Sequence, residues 1–299
     1  MRSRRFGLNT FAQPKRRERT DRAALQIQMS KRIAIAASKG GTGKTTTTWN
    51  LGFGLAMAGA RVLLVDCDPQ DNLRFIAGAD HARGTVASAI EHGVFHPNHI
   101  RETIWLVPSG ARRLWQATGT GEGLSDITSP LRHALAASDD EYDFVLFDCP
   151  PELGRMTSAA LSLSDYVLIP CVCTWLGLRS IEQMIEFIDT HTRDARIDTE
   201  RTGIVMSFYT TRRAGPETVR LHAKKLFHGR VLRTVLRERT ELDYSQAEHK
   251  SVFEYAPRSD GAEDYTSLVK EVLRRLPGES ETHADNRHTL RRPRCNSGS

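Results

Sequence analysis

The residues with the clearest chemical purpose run from Ser38 to Thr46, Ser-Lys-Gly-Gly-Thr-Gly-Lys-Thr-Thr, between an apolar run and a helical pattern. Gly40, Gly41 and Gly43 let the backbone curl and present N–H groups to an anion without a Cβ in the way. The helix that follows adds the positive end of its dipole. Lys44 is placed to reach β- and γ-phosphates, and the Thr45 hydroxyl to bind Mg²⁺. The common form of this loop is G-x-x-x-x-G-K-[ST]; here Ser38 stands at the first glycine position, so the loop is a variant form. Two further carboxylate sites end apolar runs. Asp66 and Asp68 follow Arg61-Val-Leu-Leu-Val, and Asp148 follows Phe144-Val-Leu-Phe. An aspartate at the end of a buried strand is well placed to hold hydrated Mg²⁺, which suits Asp148. Asp66 reads as a cap for the loop after its strand. Asp68 taken alone reads as a turn residue before Pro69.

These groups need a frame. From Arg32 to about Leu276 the chain alternates strand and helix patterns. Strands are predicted at 33–37, 62–65, 104–107, 144–147, 166–169, 204–208 and 231–235. Several are continuously apolar, as when both faces of a sheet are covered. Helices are predicted over 45–58, around Ile181, Met184, Ile185 and Ile188 at i, i+3, i+4, i+7 spacing, and over 268–276. The pattern implies an α/β fold: a doubly wound, mostly parallel sheet flanked by helices. The domain spans residues 30–277, with a basic tail at 1–29 and a polar tail at 278–299, both expected to be disordered.

The chain has 299 residues, 39% hydrophobic and 26% charged, with a net charge of +6. Before Met29 there are eight basic and two acidic residues, so this tail carries the whole excess and the remainder is close to neutral. Any nucleic-acid face on the body must therefore be a local patch. Met29-Ser30-Lys31-Arg32 leads straight into the first strand, so a translation start at Met29 is a competing expectation. No run of roughly 18 apolar residues is present, and the basic N-terminus lacks the apolar core of a secretory signal. Cys67, Cys149, Cys171 and Cys173 sit in or beside strand-like runs and read as reduced packing residues, which fits the cytoplasm. Cys171-Val-Cys173 puts two thiols on one face, too few to complete a metal site. Trp49, Trp105, Trp115 and Trp175 read as packing residues. His92, His96 and His99 read as solvated loop residues, and Asp143 and Asp165 as solvated loop acids.

The variant loop, Lys39-Gly-Gly-Thr-Gly-Lys44-Thr, resembles the deviant Walker A box of the ParA/MinD group of P-loop ATPases; Thr42 stands where relatives often carry Val. Arg61-Val-Leu-Leu-Val-Asp66-Cys-Asp68-Pro-Gln-Asp-Asn72 resembles the family's second box. Tyr142-Asp-Phe-Val-Leu-Phe-Asp148-Cys-Pro-Pro151 resembles its Walker B box, and Tyr255-Ala-Pro-Arg-Ser-Asp-Gly261 a segment before its last helix. The resemblance covers about residues 31–276. It implies ATP and Mg²⁺ as cofactors, held by Lys39, Gly40, Gly41, Thr42, Gly43, Lys44, Thr45 and Thr46, with Thr45 on the metal and Asp148 reaching it through water. It implies catalytic roles for Lys39, which crosses a dimer to the partner's ATP, for Lys44, and for Asp68, which positions the attacking water.

The resemblance further implies a nucleoid-associated homodimer that binds DNA non-specifically with ATP and is released when a ParB-type centromere-binding partner stimulates weak hydrolysis, for plasmid or chromosome partition. Phosphate contacts call for clustered Lys and Arg. Candidates are Arg212, Arg213, Lys224, Lys225, Arg237 and Arg239, with Arg230 and Arg233 nearby. Glu238 and Glu241 depart from the Pro-Arg-Asn run of many relatives. With about 30 residues before the ATPase, no separate DNA-binding domain is expected there. An alternative implied by the family is an ATPase that positions a protein cargo or serves conjugation or secretion machinery. The MinD-like membrane branch is disfavoured, because Leu290 is the one large apolar residue after Asn286 and no stable anchor is expected.

Overall fold

The computed structural model describes residues 30–80, 83–118, 126–191, 199–210 and 214–276. Both tails, and the site candidates Arg212 and Arg213, lie outside the described residues.

Eight strands form one sheet: β1 (Lys31–Ile35), β2 (Val62–Asp66), β3 (Asn98–Arg101), β4 (Ile104–Val107), β5 (Phe144–Asp148), β6 (Tyr166–Val172), β7 (Thr202–Tyr209) and β8 (Val231–Arg237). Their order across the sheet is β3-β4-β2-β5-β1-β6-β7-β8, parallel throughout except for the antiparallel β3–β4 edge. The seven predicted strands are all present, several extended by a few residues. The edge strand β3 was not predicted, and it places His99 in a strand instead of a loop, with its ring 5.2 Å from that of Trp105.

Alternation along the strands divides the core in two. Ala34, Leu63, Val65 and Val145 face one layer with Val86, Leu131, Met156, Ile181 and Val219. Ile33, Ile35, Val62, Leu64 and Leu146 face the other with Trp49, Leu51, Leu268 and Val272. This is the period-two arrangement that a sheet buried on both faces requires. The first layer is built by α3 (Val86–His92), α4 (Arg112–Thr118), α5 (Thr128–Ala136), α6 (Arg155–Ser162), α7 (Trp175–His191) and α8 (Ala214–Leu226). The second is built by α1 (Lys44–Met57), α2 (Asn72–Ala77), α9 (Thr240–Ala247), α10 (Val252–Tyr255) and α11 (Asp260–Arg275). α11 starts at a Ser259 cap whose hydroxyl accepts from Ala262 N–H at 3.2 Å; acids lie in its first turn and Arg274 and Arg275 in its last, as the helix dipole favours. α1 and α11 pack so closely that any side chain at Gly54 would strike Val269.

Three sequence expectations are corrected. Asp165 is not a solvated acid. It is buried, accepts from the Arg32 N–H at 2.9 Å and donates its own N–H to Arg32 carbonyl, tying the start of β6 to β1. Asp143 is half-buried and accepts from Arg61 N–H at 2.8 Å. Of the tryptophans, Trp49 is fully buried, whereas Trp115 and Trp175 are 66% and 59% exposed, because each sits on the outer side of its helix.

Candidate functional site

In open parallel sheets, ligands bind beyond the carboxyl ends of the strands where the order reverses. Here β1 has β5 on one side and β6 on the other, and β2, β5 and β1 end at one level: Asp66 pairs with Asp148, and Asp148 with Ile35. The phosphate-binding sequence and all three aspartates therefore meet at one edge.

The loop after β1 turns through left-handed backbone at Gly41 (φ +70°) and Gly43 (φ +84°), conformations that a Cβ disfavours. A Cβ at Gly40 or Gly41 would meet nothing within 4 Å, so the loop faces open space. Gly43 precedes α1, whose first turn carries no acid and no side-chain cap. Its N–H groups are thus available to an anion. Lys44 is buried and donates from Nζ to the Lys39 carbonyl at 3.2 Å, crossing the loop it serves. Burial holds its ammonium below the usual lysine range, against the opposing pull of Asp148 and Asp68. Lys39 is exposed at the rim. Ser38, the residue in the variant position, donates to the Ser180 carbonyl at 2.9 Å and so ties the loop to α7. Thr42 is buried and its hydroxyl has no partner.

The carboxylates differ in what they hold. Asp66 is fully buried and accepts from the N–H of Asp68 at 3.0 Å and of Leu73 at 3.1 Å, which folds the loop between them; burial and then the neighbouring Asp148 raise its carboxyl well above the usual range. Asp68 accepts from Gln70 N–H at 2.9 Å; burial raises it, opposed by that N–H and by Lys44. Asp148 is 1% exposed. Thr48 donates to its Oδ1 at 3.2 Å, and the nearby Thr45 hydroxyl pulls its carboxyl downward. Burial is the main cause that pushes Asp148 upward. Its Oδ2 is buried with no partner, an uncompensated acceptor beside a hydroxyl and a lysine. That donor set fits a hard divalent cation.

Three contacts were not anticipated. Asp71, at φ +58°, accepts from both N–H and hydroxyl of Ser109, at 3.0 and 2.9 Å, and joins the loop after β2 to the loop after β4. Gln246 of α9 donates to the Thr46 hydroxyl at 3.1 Å. Phe208 has a left-handed backbone (φ +49°), rare for a bulky residue. Its ring stands 3.6 Å from where a Cβ of Gly43 would be. Only the Asp71-Asn72 turn pair offered a local signal; the others depend on partners far along the chain. Among the described residues no group of three or more His, Cys, Asp or Glu could hold a metal by itself. The thiols of Cys67 and Cys149 are buried and raised by that burial, consistent with packing.

The basic candidates separate. Lys225 is exposed and Lys224 half-buried on the last turn of α8, and Arg233 is exposed on β8. Arg237 and Arg239 are engaged internally: Arg237 pairs with Asp264 at 2.6 Å, and Arg239 with Asp260 at 2.6 Å. Arg230 pairs with Glu200 at 2.9 Å.

This sheet order, with a glycine-rich loop leading into a helix and aspartates on the two neighbouring strand ends, defines a doubly wound P-loop nucleotide-binding protein. Comparison with known proteins narrows the class. The AAA domain family model matches residues 30–200. The sporulation initiation inhibitor protein Soj of Bacillus subtilis is 33% identical over 264 residues, covering 82% of this chain and 98% of Soj. The chromosome partitioning protein ParA of Myxococcus xanthus is 32% identical, covering 81% and 88% of the two chains. The chain therefore belongs to the ParA family of P-loop ATPases. In fold it is similar to Cyanothece McdA solved as a complex with ATP, with a TM-score of 0.70, 21% identity, and 82% and 97% of the chains covered. Among the described residues no helix is long and apolar enough to cross a membrane.

Proposed function

We propose that this protein is a Mg-ATP-dependent switch that dimerises on ATP, binds DNA non-specifically and is released on hydrolysis, serving plasmid or chromosome partition. The observation that carries the nucleotide part is the unpartnered, buried Oδ2 of Asp148 facing the same strand edge as the open loop at Gly40 and Gly41. The DNA part rests on the family and on the names of relatives such as Soj and ParA.

In this reading the N–H groups from Gly40 to Thr46 and the Lys44 ammonium hold the phosphate chain. Thr45 and Asp148 would hold a Mg²⁺ ion, Asp148 through water, and that ion would supply neutralisation of phosphate charge there. Lys44 must leave the Lys39 carbonyl to meet phosphate, so the present bond is a resting contact. Asp68 acts on the attacking water by positioning it, with Gln70 N–H holding its other oxygen in place. Lys39, exposed at the rim, reaches a second copy when two chains face each other across the nucleotide. A ParB-type protein is the partner that speeds hydrolysis, and the protein is cytoplasmic and nucleoid-associated.

The test is DNA binding by the purified chain with ATP, with ADP and without nucleotide, at two salt concentrations. ATP-dependent, sequence-independent binding that weakens with salt supports the reading. Nucleotide binding with no ATP-dependent DNA binding overturns the DNA part and directs the search to a protein cargo.

A further inference from the structure

A groove of about 410 Å³ opens between the C-terminal half of α7 and the end of α8. Its apolar floor is Ile185, Leu226 and Phe227, and its rim on α7 carries Glu182, Glu186 and Asp189. The three acids are exposed, and none forms a side-chain ion pair among the described residues. Among the described residues the one cation lining the groove, Arg230, is already paired with Glu200. Leu226 remains 46% exposed beside a nearly buried Phe227. An apolar floor under an unpaired acidic rim suits a basic segment with large apolar side chains.

The chain carries such a segment. Residues 2–11 contain Arg2, Arg4 and Arg5 next to Phe6, Leu8 and Phe11, with no acidic residue among them. The tether is also favourable. α7 returns the chain from the end of β6 to the start of β7, so its last turns lie at the edge where β1 begins at Lys31. β7 is two strands from β1, about 10 Å, and the helix layer is about 10 Å further. The roughly 20 residues between Phe11 and Lys31 span up to about 70 Å when extended, far more than the path requires. A tether of this kind gives the segment a high effective concentration at the groove.

The geometry points to the groove between α7 and α8 as the docking site of this chain's own basic N-terminal segment, with Phe6, Leu8 and Phe11 on the floor and the arginines against Glu182, Glu186 and Asp189. This holds whether or not the DNA reading does, because no residue of the nucleotide loop takes part.

The experiment is limited trypsin digestion of the full chain at low salt, following cleavage between Lys15 and Arg22. Docking of the adjacent residues slows that cleavage. The Glu182→Lys/Glu186→Lys/Asp189→Lys variant is expected to speed it about tenfold, with its thermal midpoint and ATP affinity unchanged. Adding Arg2→Glu/Arg4→Glu/Arg5→Glu to that variant is expected to restore the slow rate. Phe6→Ala/Leu8→Ala/Phe11→Ala, which leaves residues 30–276 untouched, is expected to speed cleavage as well. Equal cleavage rates in the unaltered chain and in both the acid-reversal and the apolar variants overturn the proposal. So does an intact mass showing that the native protein begins at Met29.

Discussion

The nucleotide edge and the β8 edge of the sheet are both rich in charge, yet they treat it in opposite ways. At the ends of β1, β2 and β5 the charges are buried and left incomplete. Asp148 keeps an unpartnered oxygen, and Lys44 rests on a backbone carbonyl instead of a carboxylate. At β8 the charges are completed from within: Arg237 has Asp264, Arg239 has Asp260, and Glu271 accepts from the N–H groups of Arg233 and Thr234 at 2.8 and 2.9 Å. A buried polar atom without a partner costs free energy; since Arg239 Nε at the β8 edge also lacks one, the mark of the ligand edge is a bare carboxylate oxygen beside an open glycine loop. Satisfied pairs at the other edge mark where the chain holds itself together. Residue type does not distinguish the two edges; the supply of partners does.

The sharpest way to break this comparison is Lys44→Ala. If the incomplete charge serves phosphate, ATP hydrolysis falls by on the order of 1,000-fold and ATP binding is lost in calorimetry, while thermal stability changes little. Retained ATP affinity in that variant would put the site elsewhere. Asp68→Ala follows, with a smaller and more selective effect. Steady-state hydrolysis is expected to drop on the order of 100-fold with ATP affinity held within a few-fold, because the carboxylate is assigned to water and not to phosphate. A parallel loss of affinity would make Asp68 part of the cradle.

At the other edge the losses should appear in stability. Arg237→Ala leaves Asp264, whose side chain is 10% exposed, without its cation, and is expected to cost about 2 kcal/mol in denaturant unfolding. Its effect on ATP turnover should be negligible. Glu271 gives a second, gentler probe. Burial alone would raise its carboxyl, but the Arg233 and Thr234 N–H groups and the Thr234 hydroxyl outweigh that and hold it below the ordinary glutamate range. A depressed folded-state pKa contributes stability above the unfolded value of roughly 4.3, and that contribution disappears as pH falls through the folded value. Glu271→Gln is therefore expected to lower stability at neutral pH by about 1 kcal/mol and to flatten the acid limb of the stability curve.

The comparison also explains what could be read in advance. The positions of the glycine-rich loop, the loop cap Asp66 and the strand-end Asp148 were legible because each lies in a few contiguous residues between an apolar run and its successor. The seven inner and flanking strands were legible for the same reason. β3 was not: Asn-His-Ile-Arg offers neither a continuous apolar run nor clear alternation, and its pairing comes from β4 across a short turn. Asp165 was misread because its partner, the Arg32 N–H, lies more than a hundred residues earlier. Arg237 and Arg239 looked like a basic cluster because Asp260 and Asp264 come a full helix later. The left-handed Phe208 carries no local mark at all, since it lacks the glycine or asparagine that usually announces such a backbone.

The smallest effect is the most discriminating for DNA. Lys225 is exposed on α8 and no side-chain ion pair engages it among the described residues, whereas Arg237 is committed to Asp264. A lysine that neutralises one phosphate contributes about 0.9 to the slope of log affinity against log salt. Lys225→Ala is therefore expected to reduce that slope by about 0.9, measured with ATP on non-specific duplex, while leaving unfolding unchanged. Arg237→Ala is expected to leave the slope unchanged under conditions where the variant remains folded. If instead Arg237→Ala lowers the slope and Lys225→Ala does not, the ion pair with Asp264 opens on DNA, and the β8 edge is a second ligand site held shut by its own carboxylates.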